Sequence, residues 1–214
     1  MNEILPGVWH WTAPNPSIGG KLVSSYWLDA PGVLIDPLLP ADAGIAWFEA
    51  RPTQPQAIVL TNRHHWRDSG RLREHFNCQV HVPNAGLHAF GEDRPVSGYQ
   101  PGEELPGGLV PFVINSLSPD EDGLFLESAR AIWVADSIVR SSTDANGQIG
   151  WVLDALMDDP EKTKDGLLQA FAEVLRDHQF EHLLLAHGLP LIGNGHAELE
   201  RLVREGGRTA SDAF

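Results

Sequence analysis

Cysteine is almost absent. Cys78 stands alone among 214 residues, which excludes a disulfide framework and a cysteine-rich zinc site within the chain. It follows a helix-like segment and opens the apolar stretch Cys78–Val82, the setting of a buried strand thiol. Positive charge is also scarce: 15 Lys and Arg face 29 Asp and Glu, a formal net charge of −14. That balance argues against a nucleic-acid partner, because phosphate-backbone binding needs clustered Lys and Arg. No window approaches the ~20 apolar residues that a membrane span requires. The start, Met1–Pro6, has neither the basic cluster nor the apolar run of a secretory signal. There is no Gly-x-Ser-x-Gly nucleophile elbow, and Gly193-Asn194-Gly195 lacks the partner motif of a phosphate loop. These absences predict a soluble cytoplasmic protein without nucleic-acid or membrane partners. The sequence carries no signal for oligomeric state.

What is present is a strand-rich texture repeated twice. Apolar runs at Val8–Trp11, Leu22–Leu28 and Val33–Ile35 predict strands separated by Pro and Gly turns. Ala41–Ala50 reads as a short helix, Gln56–Leu60 as a buried strand, and the segment ending near Phe76 as a helix. A strand over Gln79–Val82 and a helical turn or two over Asn84–Phe90 complete the first half. The second half reads as strands at Val110–Ile114, Leu124–Glu127 and Ala131–Ala135, then a helix over Pro160–His178. Its apolar Leu167, Leu168, Phe171, Val174 and Leu175 fall at helical spacing. The buried strand His182–Ala186 ends in His187-Gly188, a last helix covers Gly195–Arg204, and residues 206–214 read as a loose tail. No linker or composition shift divides residues 1–205, so they form one domain. Periodicity alone is equally compatible with a doubly wound sheet.

Motif order decides between these architectures. The stretch Leu60-Thr61-Asn62-Arg63-His64-His65-Trp66-Arg67-Asp68-Ser69-Gly70 follows a strand and precedes a helix. In outline it resembles the metallo-β-lactamase superfamily signature, Thr-His-x-His-x-Asp-His-x-Gly. Ile35-Asp36-Pro37, Ala135-Asp136 and Ala186-His187-Gly188 resemble further family elements in the expected order. The resemblance covers roughly Ile4–Glu205 and implies an αββα sandwich, two mixed β-sheets with helices on the outer faces.

The same resemblance implies a site with most of its metal ligands replaced. Laid on the signature from Thr61, the ligand positions hold Asn62, His64, Trp66 and Arg67, and the next family histidine falls on Leu117 or Ser118. His64, Asp136 and His187 match, so the expected cofactor is none or one divalent metal (zinc, iron or manganese), with Asp136 as the catalytic carboxylate. Asn62, His64, His65, Trp66, Arg67 and Glu121 are the expected ligand-binding residues, with Trp66 lining or plugging the cleft. The acidic Asp120-Glu121-Asp122 reads either as a solvated turn or as a source of a replacement oxygen ligand or charge partner near the site. Arg67 either pairs with Asp136 in place of a metal cation or extends to solvent. His64-His65 beside Asp68 and Ser69 also mimics part of a hydrolytic triad, but sequence neighbours rarely provide that geometry. The chain is therefore expected to be a protein of hydrolase ancestry that binds a small ligand or partner without the dinuclear metal. The alternative is a hydrolase with a mononuclear site on His64, Asp136 and His187.

Overall fold

The structure, a computed structural model, describes residues 1–210. It opens with an antiparallel meander of β1 (Asn2–Leu5), β2 (Val8–Asn15), β3 (Lys21–Leu28) and β4 (Val33–Ile35). The short helix α1 (Ala46–Glu49) leads to β5 (Ala57–Val59), α2 (Ser69–Phe76), β6 (Gln79–Pro83) and β7 (Ser97–Tyr99). Strands β4 to β7 run parallel, so the seven strands form one mixed sheet in chain order. The second half contributes β8 (Val110–Val113), β9 (Asp122–Leu126), β10 (Ala131–Val134), β11 (Ile138–Val139), β12 (Gly150–Trp151), α3 (Pro160–Asp177), β13 (His182–Leu185) and α4 (Gly195–Arg204). Its sheet has the order β13-β10-β9-β8, with β13 parallel to β10 and the other pairs antiparallel. Strands β11 and β12 form a separate two-stranded ribbon.

The layers follow from the two-residue alternation of strand side chains. Tyr26, Leu28, Val33, Ile35 and Val59 of the large sheet meet Trp133 and Leu184 of the small one, filling the space between the sheets. Their neighbours Trp27, Leu34 and Ile58 face the other way, against Phe48 of α1 and Leu72 of α2. On the small sheet Ile132, Val134, Leu183 and Leu185 face Leu167, Phe171 and Val174 of α3 and Leu199 of α4. Helix α3 starts where Pro160 occupies its first turn and the Asp159 side chain accepts the Lys162 N–H at 3.2 Å. This is the expected αββα sandwich.

Three local expectations change. The helix predicted over Ala41–Ala50 forms only at Ala46–Glu49, because Gly44 at φ +55° holds the preceding residues in a turn. Strands β1, β7, β11 and β12 lay outside the sequence reading, being too short for an alternation to register. Residues 206–210, expected as loose tail, pack back on β12. Trp151 N–H donates to the Arg208 carbonyl at 2.7 Å and Ala210 N–H to the Trp151 carbonyl at 2.9 Å. The rest of that tail lies outside the described residues.

Candidate functional site

The site is built where four parallel-paired strands, β4, β5, β10 and β13, run out at their carboxyl ends. Asp36 directly follows β4, Thr61 and Asn62 come just after β5, and Asp136 and His187 lie two residues past β10 and β13. The sheets are tied together at this edge. Ser24 N–H donates to the Ala186 carbonyl at 2.9 Å, and Tyr26 Oη to the Leu185 carbonyl at 2.8 Å. Gly188 is required here: its φ is +117°, and a Cβ would lie 2.2 Å from the Arg140 carbonyl oxygen.

Asp136 is the focus. Its Oδ2 accepts from Asn62 Nδ2 at 2.6 Å, while Oδ1 lies 3.1 Å from His65 Nε2 and 2.8 Å from His187 Nε2. His65 is held from behind: Nδ1 is 2.9 Å from Asp36 Oδ2 and 3.1 Å from Thr61 Oγ1. Asp36 also accepts the Thr61 N–H at 2.9 Å and the Thr61 hydroxyl at 2.6 Å. A continuous path of polar contacts therefore runs Asp36–His65–Asp136–His187, buried except at Asp136.

The charges along this path are set by competition between burial and partners. Burial would lower the His65 imidazole, but the Asp36 and Asp136 carboxylates raise it to about 9. Burial would raise Asp136, but the His65 charge and the hydrogen bonds from His187 and His65 hold it well below the ordinary carboxylate range. Asp36 is likewise lowered, against its burial, by the charge and hydrogen bond of His65. His187 moves down because its burial outweighs the hydrogen bond to Asp136. At neutral pH the centre thus holds two carboxylates, a cationic His65 and a neutral His187.

The sequence-expected residues divide. Asn62, His65, Asp136 and His187 are brought together, and His64 and Arg67 line the same cavity of about 470 Å³. His64 is exposed and does not join the donor group; its neighbour His65 does. The reason is the 3₁₀ turn Arg63–Trp66, in which the Asn62 side chain accepts the His64 N–H at 2.9 Å and turns His65 inward. Trp66 does not line the cavity. It packs on the outer face of the large sheet, its ring centroid 5.6 Å from that of Phe90. Glu121 does not line it either: fully buried, it accepts the N–H groups of Asp136 and Ser137 at 3.1 and 2.9 Å, and so positions Asp136 from below. Asp120 is a charge partner rather than a ligand. It accepts the Arg63 N–H at 2.7 Å and pairs with the Arg63 guanidinium.

Arg67 neither pairs directly with Asp136 nor extends to solvent. Its Nη1 donates to the carbonyls of Ser24 and Asp36 at 2.7 and 2.6 Å. Asp36, named from sequence only as a strand end, is the residue whose role was missed. The available signal was a carboxylate in an apolar strand end immediately before proline.

The donor set decides what metal this site fits. Among the described residues, His65, Asp136 and His187 each offer one ligand atom, all within 4.8 Å of one another. The Asp36 contact at Nδ1 aims His65 Nε2 at that focus, the carboxylate–histidine arrangement common behind metal ligands. One divalent ion fits these donors. Among the described residues no second group of three such donors converges there; Trp66 points away and Arg67 brings its own charge beside the site.

No family model and no curated protein matches the sequence. Solved structures do. A metallo-β-lactamase family protein from Thermus thermophilus superposes with a TM-score of 0.65 at 17% identity, covering 95% of this chain and 80% of that one. This chain has the metallo-β-lactamase fold. The protein TMB-1 gives a TM-score of 0.70 at 14% identity, covering 95% of this chain and 96% of its own. A protein solved in a di-iron-bound form gives 0.61 at 19% identity, covering 82% of this chain and 92% of its own. No helix in the described residues is long and apolar enough to cross a membrane.

Proposed function

We propose that this chain is a metallo-β-lactamase-fold protein of hydrolase ancestry that holds no dinuclear metal centre and binds a small ligand in the cavity above Asp136. One observation carries the reading: His65 is seated between Asp36 and Asp136, 2.9 Å from one carboxylate and 3.1 Å from the other. With Arg67 close by, two protein cations offset the two carboxylates that a metal pair would otherwise neutralise. A neutral His187 donates from Nε2 to Asp136 at 2.8 Å, and both side chains line the cavity wall. The reading keeps the protein cytoplasmic and without nucleic-acid or membrane partners, in line with its net charge of −14. Elemental analysis of protein purified without chelators tests it. The expected content is one metal per chain or less; two per chain would overturn the reading.

A second reading rests on the donor group itself. If His65, Asp136 and His187 hold one zinc, iron or manganese ion, that ion would supply an activated water for hydrolysis. Asp36 would then orient His65, and Asn62 would hold the second Asp136 oxygen. Titration calorimetry with each metal separates the readings. Saturable one-to-one binding that is lost in His187→Ala favours the mononuclear site; its absence favours the metal-free one.

A further inference from the structure

The cavity wall is chemically divided, and the division points to a class of ligand. Its lining includes the apolar Ile18, Leu117, Val152 and Leu156. Leu156 sits on the turn Asp154–Leu156 and is 58% exposed, a large apolar side chain left in water at the cavity. The same lining carries the permanent charges of Arg63 and Arg67, and among the described residues Asp136 is the one carboxylate that lines the cavity. The carboxylates that offset these cations, Asp36 and Asp120, lie behind the wall at 2% and 1% exposure. Arg67 has further capacity: its Nε and Nη2 are buried and meet no hydrogen-bond acceptor, although Nη1 is doubly engaged. Arg63 and Arg67 thus bring cationic groups to the cavity lining of a chain whose net charge is −14.

We propose that the cavity takes a small amphiphilic organic anion, a carboxylate-bearing molecule with an apolar body. This deepens the small-ligand reading and rests on it. The anionic group lies toward Arg67, beside His64 and His187, where a fixed guanidinium matches carboxylate geometry. The apolar body lies along Ile18 and Leu156, whose burial by the ligand removes apolar surface from water. A cation of the same shape meets the Arg63 and Arg67 charges, and a neutral alcohol gains nothing from them.

An isosteric series tests this by calorimetry and thermal shift: hexanoate, hexan-1-ol, hexylamine and acetate. Hexanoate is expected to bind at least tenfold more tightly than each of the other three. Leu156→Ser, on an exposed turn, is expected to weaken hexanoate threefold or more and to leave acetate unchanged. Arg67→Gln is expected to abolish the preference for hexanoate over hexan-1-ol. If that variant fails to fold, the series and Leu156→Ser still decide. Equal or tighter binding of hexan-1-ol or hexylamine overturns the anion assignment but keeps the ligand pocket. An unchanged hexanoate affinity in Leu156→Ser overturns the apolar wall. Silence of the whole series overturns both this proposal and the small-ligand reading.

Discussion

Arg67 Nη1 donates to the main-chain carbonyl of Asp36 at 2.6 Å. One of the two sequence readings pairs Arg67 with the Asp136 carboxylate, but His65 occupies that place. The imidazole is the direct cationic contact of Asp136, and Arg67 acts on it at longer range, through charge alone. Arg67 is thus a brace between β3 and the end of β4, since its other acceptor is the Ser24 carbonyl.

This brace is held in a strained backbone, with Arg67 at φ +43° and ψ −123°. Glycine adopts that conformation without the steric cost that any Cβ brings. Arg67→Ala loses the two hydrogen bonds and keeps the strain, whereas Arg67→Gly loses the bonds and releases it. Both variants are expected to be less stable than the parent, by roughly 1–3 kcal/mol, because the Ser24 carbonyl loses its donor while the Asp36 carbonyl keeps the Ser25 hydroxyl. Arg67→Gly is expected to be the more stable of the two by about 1 kcal/mol. Urea midpoints for both decide; an alanine variant as stable as the glycine variant would refute the strain.

Asp122, at the start of β9, is 6% exposed, and burial pushes its carboxyl up to about 7. Its folded value is therefore above the unfolded one. The stability associated with the protonated form is complete below about pH 4 and is lost as pH rises through 7. Asp122→Asn removes that loss. The variant is expected to match the parent at pH 4 and to exceed it at pH 8, by roughly 2–4 kcal/mol. Denaturation at the two pH values checks this, and a variant less stable than the parent at pH 8 would show the carboxylate to be favourably solvated.

The frame of this site was legible where a residue's place follows from strand order. Asp136 and His187 come at the ends of apolar strands, and a strand end fixes a side chain at the sheet edge whatever the loop does next. The loop after β5 was not legible in the same way. Adjacent His64 and His65 differ only in which way a 3₁₀ turn points them, and that direction depends on the Asn62 side chain capping the His64 N–H. The same turn carries Trp66 out to Phe90. Glu121 was recognisable as an acidic residue near the site, but its place beneath Asp136 depends on packing between distant segments. Asp36 acquires its role from His65, whose inward turn no motif records.

Gly188 links the site to the rest of the fold. Arg140 donates through its guanidinium to the carbonyls of Gly147, Leu189 and Pro190 at 2.6, 3.2 and 3.0 Å, and its N–H to the His187 carbonyl at 3.0 Å. A methyl group at Gly188 meets the Arg140 backbone and adopts an unfavourable φ as well. Gly188→Ala is expected to cost about 3 kcal/mol or more and to displace His187. The imidazole resonance of His187 provides the site-specific readout. An alanine variant with unchanged midpoint and unchanged resonance would contradict the close approach.

Asn62 determines how much negative charge the centre carries. Its Nδ2 donates to Asp136 Oδ2 at 2.6 Å, and its Oδ1 caps the His64 N–H. Asn62→Asp keeps the cap but replaces the donor by a second carboxylate at that separation. His65 already bridges Asp36 and Asp136, so it gives the added carboxylate no cationic contact of its own. In chelator the variant is expected to lose about 2–4 kcal/mol, since two carboxylates so close cannot both ionise freely. Adding zinc or manganese is expected to raise the Tm of Asn62→Asp more than that of the parent, because a divalent ion then neutralises both carboxylates. The two thermal shifts, each with and without metal, form a cycle whose coupling reads the unbalanced charge directly. Equal stability of parent and variant in chelator, or equal response to metal, would mean that the centre is not limited by its charge balance.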